Sequence, residues 1–158
     1  MATRRHDQAP PEDAIAMLQE DHRRVRDLFQ EYEAAMDPRT KRELAEEVCT
    51  ELETHAQLEE QIFYPAVQEE SQEGRALVQE AIQEHQQVKD LIAALRDMGP
   101  DTQAFNAKFR ELMQNVEHHV EEEEGEMFPE AEEVLGERLE RLGTQMQERK
   151  QQLMASMT

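Results

Sequence analysis

HAQLEEQIFYP, at residues 55–65, is the most informative segment of the sequence, because a similar segment, HVEEEEGEMFP, follows at residues 119–129. Each copy begins with a histidine, carries a glutamate four residues later and a second glutamate directly after it, and ends in an aromatic residue followed by proline. A histidine and a glutamate four residues apart share one face of an α-helix, so both can reach one metal ion. The chain therefore carries twice a pattern that combines helix formation with metal-binding chemistry.

A further histidine precedes each copy on a helical pattern. His22 lies 33 residues before His55, and His85 lies 34 residues before His119. This near match in spacing predicts a duplicated two-helix unit. Two such units would bring together four imidazoles and two carboxylates, which is enough to hold a pair of metal ions inside a helical bundle.

The composition indicates an all-α protein of one domain. The 158 residues are rich in helix formers, whereas glycine, proline and aromatic residues are scarce and tryptophan is absent. The formal net charge of −20 argues against nucleic acid and anionic membrane as partners, because both would repel the protein. No apolar stretch is typical of a membrane span or a signal peptide, and the single Cys49 cannot form an internal disulfide. We expect a cytoplasmic protein that is a monomer or a weak homo-oligomer.

Apolar residues spaced three and four apart predict four long helices. The predicted breaks lie at Asp37-Pro38, around Gly74 and at Gly99-Pro100. The second helix is expected to end near Pro65. Short connections favour antiparallel neighbours, hence an up-down-up-down four-helix bundle.

The chain divides into three predicted parts. Residues 1–10 are polar and of mixed charge, which predicts a flexible N-terminal tail. Residues 11–129 form the bundle. Residues 130–158 keep a looser apolar series, so they are predicted to form a C-terminal helical extension whose helix packs outside the bundle or is partly free.

Six residues on the predicted core faces are candidate metal ligands: His22, His55, Glu59, His85, His119 and Glu123. A lone histidine on an apolar face is ordinarily a hydrogen-bonded core residue, and a run of glutamates is ordinarily solvated surface. Here four helices each place a histidine in the apolar stripe, and two of them add a glutamate at the same offset, which favours a metal site. Imidazole and carboxylate without thiolate suit iron, manganese or zinc, and two glutamates can bridge two ions.

Neighbouring residues compete for these roles. His118 and Glu122 also lie four apart, but aligning the two copies on their prolines selects His119, so His118 is interpreted as a surface residue or a partner of a ligand. Glu60 and Glu124 rotate off the core face, which favours solvent exposure or a supporting role beside the ligands. The aromatic residues before the two prolines could close the end of the site, although core packing is the expected role of Tyr64 and Phe128.

These residues carry a resemblance to the hemerythrin-like HHE cation-binding family over about residues 13–129. The order His22, His55-x-x-x-Glu59, His85, His119-x-x-x-Glu123 is similar to the signature of that family. The resemblance implies a four-helix bundle around a non-haem di-iron centre, whose two iron ions are joined by an oxo or hydroxo bridge. It also implies that the four histidines are terminal nitrogen ligands and that the two glutamates are bridging carboxylates.

One departure from the family pattern bears on function. The oxygen-carrying hemerythrins have a His-x-x-x-His pair on the third helix, whereas Ala81 and Lys89 lie four residues to either side of His85 here. Both ions would then keep an open position for a small molecule, namely dioxygen, peroxide or nitric oxide. Two alternatives to dioxygen binding stay open: an enzyme that decomposes hydrogen peroxide or reacts with nitric oxide, and an iron-handling or metal-stabilised structural bundle. No catalytic residue is assigned.

Overall fold

Five helices make up residues 13–99 and 102–156, the part of the chain that the computed structural model describes, and no β-strand occurs there. They are α1 at Ala14–Ala34, α2 at residues 38–70, α3 at Gln72–Arg96, α4 at residues 102–135 and α5 at Arg138–Ala155. The predicted all-α architecture is confirmed, since α1 to α4 form the up-down-up-down bundle and α5 packs outside it against α1 and α2. The predicted N-terminal tail at residues 1–10 lies outside the described residues.

Capping side chains and one glycine set the helix ends. The Asp37 side chain accepts a hydrogen bond from the backbone N–H of Thr40 at 3.1 Å, which caps the start of α2. Ser71 caps α3 by accepting from the N–H of Gly74 at 2.8 Å, so the break lies at Ser71 and Gly74 is already inside the helix. Gly136, with a φ of 48°, ends α4 in a conformation that favours glycine.

A π-helical turn widens α2 at Glu59–Phe63 and α4 at Glu123–Met127. Each turn closes with a bond from the N–H of the following aromatic residue to the carbonyl of the first glutamate, five residues back. Pro65 and Pro129 come next, and a proline inside a helix lacks an N–H and clashes with the carbonyl four residues earlier. The widened turn accommodates each proline, so the expectation that the second helix ends near Pro65 is wrong: α2 continues to Glu70.

A polar layer divides the apolar interior into two clusters. The proline-end cluster, at the end of the bundle that holds both prolines, includes Leu18, Leu58, Phe63, Val67, Val78, Met127 and Ala131. The far cluster includes Val25, Phe29, Val48, Ile92, Phe109, Leu112 and Val116. The fifth helix covers only the proline-end cluster, into which it buries Leu139, Leu142, Met146 and Leu153. Among the described residues, none of the helices has the length and apolar character that crossing a membrane requires.

Candidate metal centre

The polar layer contains all six predicted ligands. They are His22 of α1, His55 and Glu59 of α2, His85 of α3, and His119 and Glu123 of α4, and all six are buried. Their ligand atoms form two groups of four, each with two histidines and both glutamates, and within each group the atoms lie within 4.8 Å of one another. The layer, called the metal centre below, thus contains two groups of residues that could each hold a cation and that share two carboxylates.

Each glutamate presents one oxygen to each pair of histidines. The oxygen-to-Nε2 distances are 3.2 Å for Glu59 to His55, 2.9 Å for Glu59 to His85, 3.2 Å for Glu123 to His22 and 3.3 Å for Glu123 to His119. A carboxylate that faces a different histidine with each oxygen is placed to bridge two ions. The π turns begin at these two glutamates, which agrees with the frequent occurrence of π turns at functional sites.

Five buried polar atoms of the centre have no hydrogen-bond partner in the described part of the chain. They are Nε2 of His22, His55 and His119, Oε2 of Glu59 and Oε1 of Glu123. Buried polar atoms are nearly always hydrogen-bonded, because leaving them unpaired costs free energy. Two cations in the shared groups would give every one of these atoms a partner, so the residues present fit a pair of metal ions.

In each of the four histidines of the centre, the ring nitrogen that points away from the shared glutamates, Nδ1, contacts a second carboxylate. The Nδ1-to-oxygen distances are 2.8 Å for His22 to Glu124, 3.0 Å for His55 to Asp21, 2.6 Å for His85 to Glu60 and 2.6 Å for His119 to Glu84. We call these four acids the outer carboxylates. An Nδ1–H that donates to a carboxylate leaves the Nε2 lone pair free to face a metal ion and fixes the orientation of the ring.

Two of the outer carboxylates escaped the sequence analysis. Glu60 and Glu124 were considered for a supporting role, and the structure places them there. Asp21 and Glu84 were not considered, although each directly precedes a ligand histidine at the equivalent position of the two repeats. A comparison of the two repeats outside the histidine–glutamate motif would have shown that both have an acidic residue directly before the first histidine.

Tyr64 reaches the centre as well as packing in the core. Its hydroxyl oxygen contacts Glu59 at 3.0 Å and also Glu123, so its single proton is shared between the two carboxylates, and it lies 3.2 Å from His85 Nε2. Phe128 occupies the equivalent position of the second repeat and stacks on the ring of His22 with centroids 5.9 Å apart. The sequence analysis expected mainly core packing from both aromatic residues, but the hydroxyl makes the two halves of the centre chemically different.

Mutual pairing controls the ionisation of the metal-free centre. Burial lowers the pKa of His55, but the charge of Glu59 and the hydrogen bond to Asp21 outweigh burial and raise that pKa well above 6.5. Burial raises the pKa of Glu59, but the surrounding histidines lower it well below 4.5. Burial and the two carboxylates raise the pKa of Tyr64 well above 10, so its hydroxyl keeps its proton. In the metal-free centre, opposite charges on these histidines and glutamates therefore attract one another, although Nε2 of His55 and of His119 lacks a hydrogen bond.

His118 lies outside the centre. Its side chain is 63% exposed, and its Nε2 lies 3.1 Å from Glu122 and 3.7 Å from Glu84. The adjacent His119 is turned inward to the shared glutamates. The repeat alignment selected His119 rather than His118, and the structure places His119 in the centre.

An apolar cavity of about 40 Å³ opens against the metal centre from the side of the far cluster. Most of its lining is apolar, and the charged residues Asp21, Glu53 and Lys89 also contribute to it. The apolar lining residues are Val25, Leu52, Ala56, Val88, Ile92, Val116 and Val120. A water molecule needs about 10–15 Å³ of such space, so the cavity has room for a diatomic molecule. Its walls favour a small apolar ligand over a charged one.

Comparisons with known proteins found a family model and relatives that match most of this chain. The model of the hemerythrin HHE cation-binding domain matches residues 13–131. A Nostoc protein named DNA nickase is 32% identical over 117 residues, which are 74% of this chain and 32% of that protein. An uncharacterised hemerythrin-like protein of Schizosaccharomyces pombe is 29% identical over 118 residues, 74% of this chain and 58% of that protein. The chain thus spans about a third and under three fifths of these two relatives.

A solved structure has the same fold. The crystal structure of a hemerythrin HHE cation-binding domain protein from Mycobacterium kansasii superimposes with a TM-score of 0.80 and 27% sequence identity. The match covers 92% of this chain and 89% of that one. The similarity therefore includes α5 as well as the four-helix bundle.

Proposed function

The chain belongs to the hemerythrin HHE cation-binding family, and from that premise we propose that it is a non-haem di-iron protein that binds dioxygen or a related small oxidant. The observation that carries the proposal is the pair of four-atom groups that share Glu59 and Glu123. When bound, two ferrous ions would supply the binding position and two electrons for the oxidant. The four histidines would hold the ions from the ends, and the two glutamates would bridge them.

The apolar cavity supports a diatomic ligand. It reaches all four histidines, and most of its accessible wall is formed by valine, leucine, isoleucine and alanine side chains. Dioxygen and nitric oxide are small and weakly hydrated, so they lose little hydration on entering such a space. A charged substrate would lose more hydration free energy there than a neutral diatomic molecule.

The third helix supports an open position at both ions. Ala81, four residues before His85, packs in the proline-end cluster, and Lys89, four residues after it, pairs with Glu60 at 3.2 Å. Neither position supplies a fifth imidazole. Two histidines and two shared carboxylates leave each ion short of a full coordination shell, which suits a protein whose ligand meets both ions.

A peroxide-decomposing enzyme is the second candidate, and Tyr64 is the observation that favours it. Its protonated hydroxyl contacts both carboxylates, and the same proton could turn from a carboxylate to an oxidant bound in the centre. Such a donor suits a reaction that splits an O–O bond, because the leaving oxygen gains negative charge. Tyr64 is therefore the residue that we assign to that chemistry if turnover is found.

DNA nicking, the activity in the name of the Nostoc relative, is not part of the proposal. The matched segment is 32% of that protein, and the formal net charge of −20 repels DNA. A purely structural role for the metal is an outcome of the test below.

The first experiment measures iron per chain and the visible spectrum of protein purified with iron available, before and after cycles of oxygen removal and addition. We expect about two irons per chain, as the two ligand groups require, and an optical change that reverses with oxygen. Gas evolution and steady-state turnover on adding peroxide would transfer the assignment to the enzyme. Two irons with neither response would leave the reaction with nitric oxide, which adding nitric oxide tests, and the iron-handling or structural role.

Variants connect that result to the ligands. We expect His119→Ala and Glu59→Ala to retain well under two irons per chain, because each removes a donor from a buried group. His118→Ala, one residue away but exposed, is the matched control and should keep both buried irons. Equal iron loss in His118→Ala and His119→Ala would contradict the ligand assignment.

A further inference from the structure

The two repeats treat equivalent outer carboxylates differently. Asp21 and Glu84 both hold a ligand histidine through one oxygen. The other oxygen of Asp21 receives the ammonium of Lys150 from α5 at 3.1 Å. The other oxygen of Glu84 faces His118 Nε2 at 3.7 Å. A cation thus balances the first repeat at this point, whereas the second repeat has an imidazole there.

Glu122 completes a three-residue outer cluster with Glu84 and His118. Its carboxylate lies 3.1 Å from His118 Nε2, and the three ligand atoms lie within 4.8 Å of one another. Unlike the metal centre, this cluster is open to solvent, since His118 is exposed and the two carboxylates are half-buried. One imidazole and two carboxylates suit a first-row divalent cation whose remaining positions hold water.

A narrow cavity of about 10 Å³ lies between this cluster and the metal centre. Glu84 and Glu122 of the outer cluster and His119 and Glu123 of the metal centre all line it, beside the apolar Leu77, Ala81 and Met127. Glu80 and Glu126 add further acidic groups to its walls. Residues of the solvent-exposed cluster and of the buried centre therefore share one small acidic space, and acidic walls attract cations.

We propose that Glu84, His118 and Glu122 form an outer metal site that takes a first-row divalent cation from solvent and delivers it to the metal centre. Glu84 belongs to both places, because one of its oxygens orients His119 and the other faces the outer cluster. Cation binding at the outer site is argued from Glu84, His118 and Glu122 alone and does not depend on the proposed function. Delivery rests on the proposed function, since it requires that the buried centre holds metal.

The test uses Co²⁺ alone, without oxygen, on metal-free full-length protein. Equilibrium dialysis counts the ions per chain, and stopped-flow absorbance follows the filling of the buried centre. His118→Ala and Glu122→Gln remove ligands of the outer site without touching the six ligands of the centre. Glu121→Gln is the matched control, because it removes the same charge from an exposed neighbour on α4.

We expect wild-type protein and Glu121→Gln to bind one weakly held ion more than the two variants of the outer site. Filling of the buried centre should slow about tenfold in His118→Ala and Glu122→Gln, the scale on which local charge raises on-rates. Equal counts and equal rates in all four proteins would overturn the outer site and leave the buried centre intact. A single ion in the wild type that Glu122→Gln loses would uphold outer binding and overturn both delivery and the di-iron proposal.

Discussion

Glu59 and Glu123 are the residues on which the whole centre depends. Their exposed fractions are 0% and 2%, and each faces one histidine pair with one oxygen and the other pair with the other. Loss of a histidine removes a donor from one group of ligand atoms, whereas loss of either glutamate removes a donor from both. The glutamates therefore join the two groups of ligand atoms into one unit.

Helical phase explains which site residues the sequence could predict. A histidine and a glutamate four apart reveal their shared face within one helix, which is why the structure brings His55 and Glu59 together as expected. Asp21 reaches His55 from another helix, and Glu84 reaches His119 in the same way. Such contacts depend on which helices pack together and in which register, and the periodicity along one helix carries no information on that.

Tyr64→Phe tests the hydroxyl at the centre. In the metal-free protein we expect the free energy of unfolding to fall by about 1.5–3 kcal/mol, because buried carboxylates lose a donor. Tyr32→Phe, which removes a hydroxyl bonded to the neutral amide of Asn106, should cost only about 0.5–1.5 kcal/mol. Denaturant titration measures both losses. In iron-loaded protein, only Tyr64→Phe should alter the rate of reaction with peroxide; matched behaviour of the two variants would exclude Tyr64 from the chemistry.

The π turns are the elements that the sequence analysis misread. Proline inside a helical pattern ordinarily marks the end of a helix, and Pro65 was interpreted in that way. The helix continues past Pro65 because Tyr64 and Val67, on either side of it, are buried in the proline-end cluster. A π turn before the proline accommodates it, and a second π turn precedes Pro129 in the same way. The helix-breaking propensity of proline thus predicted where the helix is irregular, but not that the irregularity is a π turn.

Gly74→Ala and Gly125→Ala form a pair with opposite expected effects on helix stability. A Cβ at Gly74 would stand 2.6 Å from Cγ1 of Val67, a stiff buried side chain, so we expect a loss of about 1–3 kcal/mol. A Cβ at Gly125 meets nothing within 4 Å, and alanine is the better helix former, so we expect a gain of about 0.5–1 kcal/mol. Thermal unfolding measures both. A neutral Gly74→Ala would show that α2 and α3 are less closely packed than described.

At the scale of the molecule, α5 belongs to the site as well as to the core. It covers the proline-end cluster, and its Lys150 balances Asp21, which in turn orients His55. The sequence analysis predicted a helix here but left open whether it packed against the bundle, because its apolar series is looser than that of the other four. The bundle and its order of helices followed from periodicity and short connections, whereas the docking of α5 required the three-dimensional contacts.

The pH dependence of stability should differ between metal-free and metal-loaded protein. The raised pKa values of His55, His85 and His119 contribute stability that is fully present below about pH 6.5 and is lost as pH rises through the raised values. The lowered pKa values of Glu59 and Glu123 contribute stability that is fully present above about pH 4.5 and is lost as pH falls through the lowered values. The metal-free protein should therefore be most stable between these limits.

Bound metal should reverse the change of stability with pH above about pH 6.5. Cations and protons compete for the same histidines, so metal binding tightens as pH rises and the loaded protein gains stability where the metal-free protein loses it. Denaturant unfolding of both forms across this range measures the difference. Metal-free protein whose stability keeps increasing above pH 6.5 would contradict the ion pairing described for the centre.

The difference between Tyr64 and Phe128 has a consequence for the symmetry of the bundle. Two identical two-helix chains around a two-fold axis would place the same residue at both positions, as in any symmetric homodimer. A tyrosine hydroxyl at one position and a phenyl ring stacked on histidine at the other require two halves that differ in sequence. Because both repeats lie in one polypeptide, this bundle has an asymmetry that a homodimer is unable to acquire.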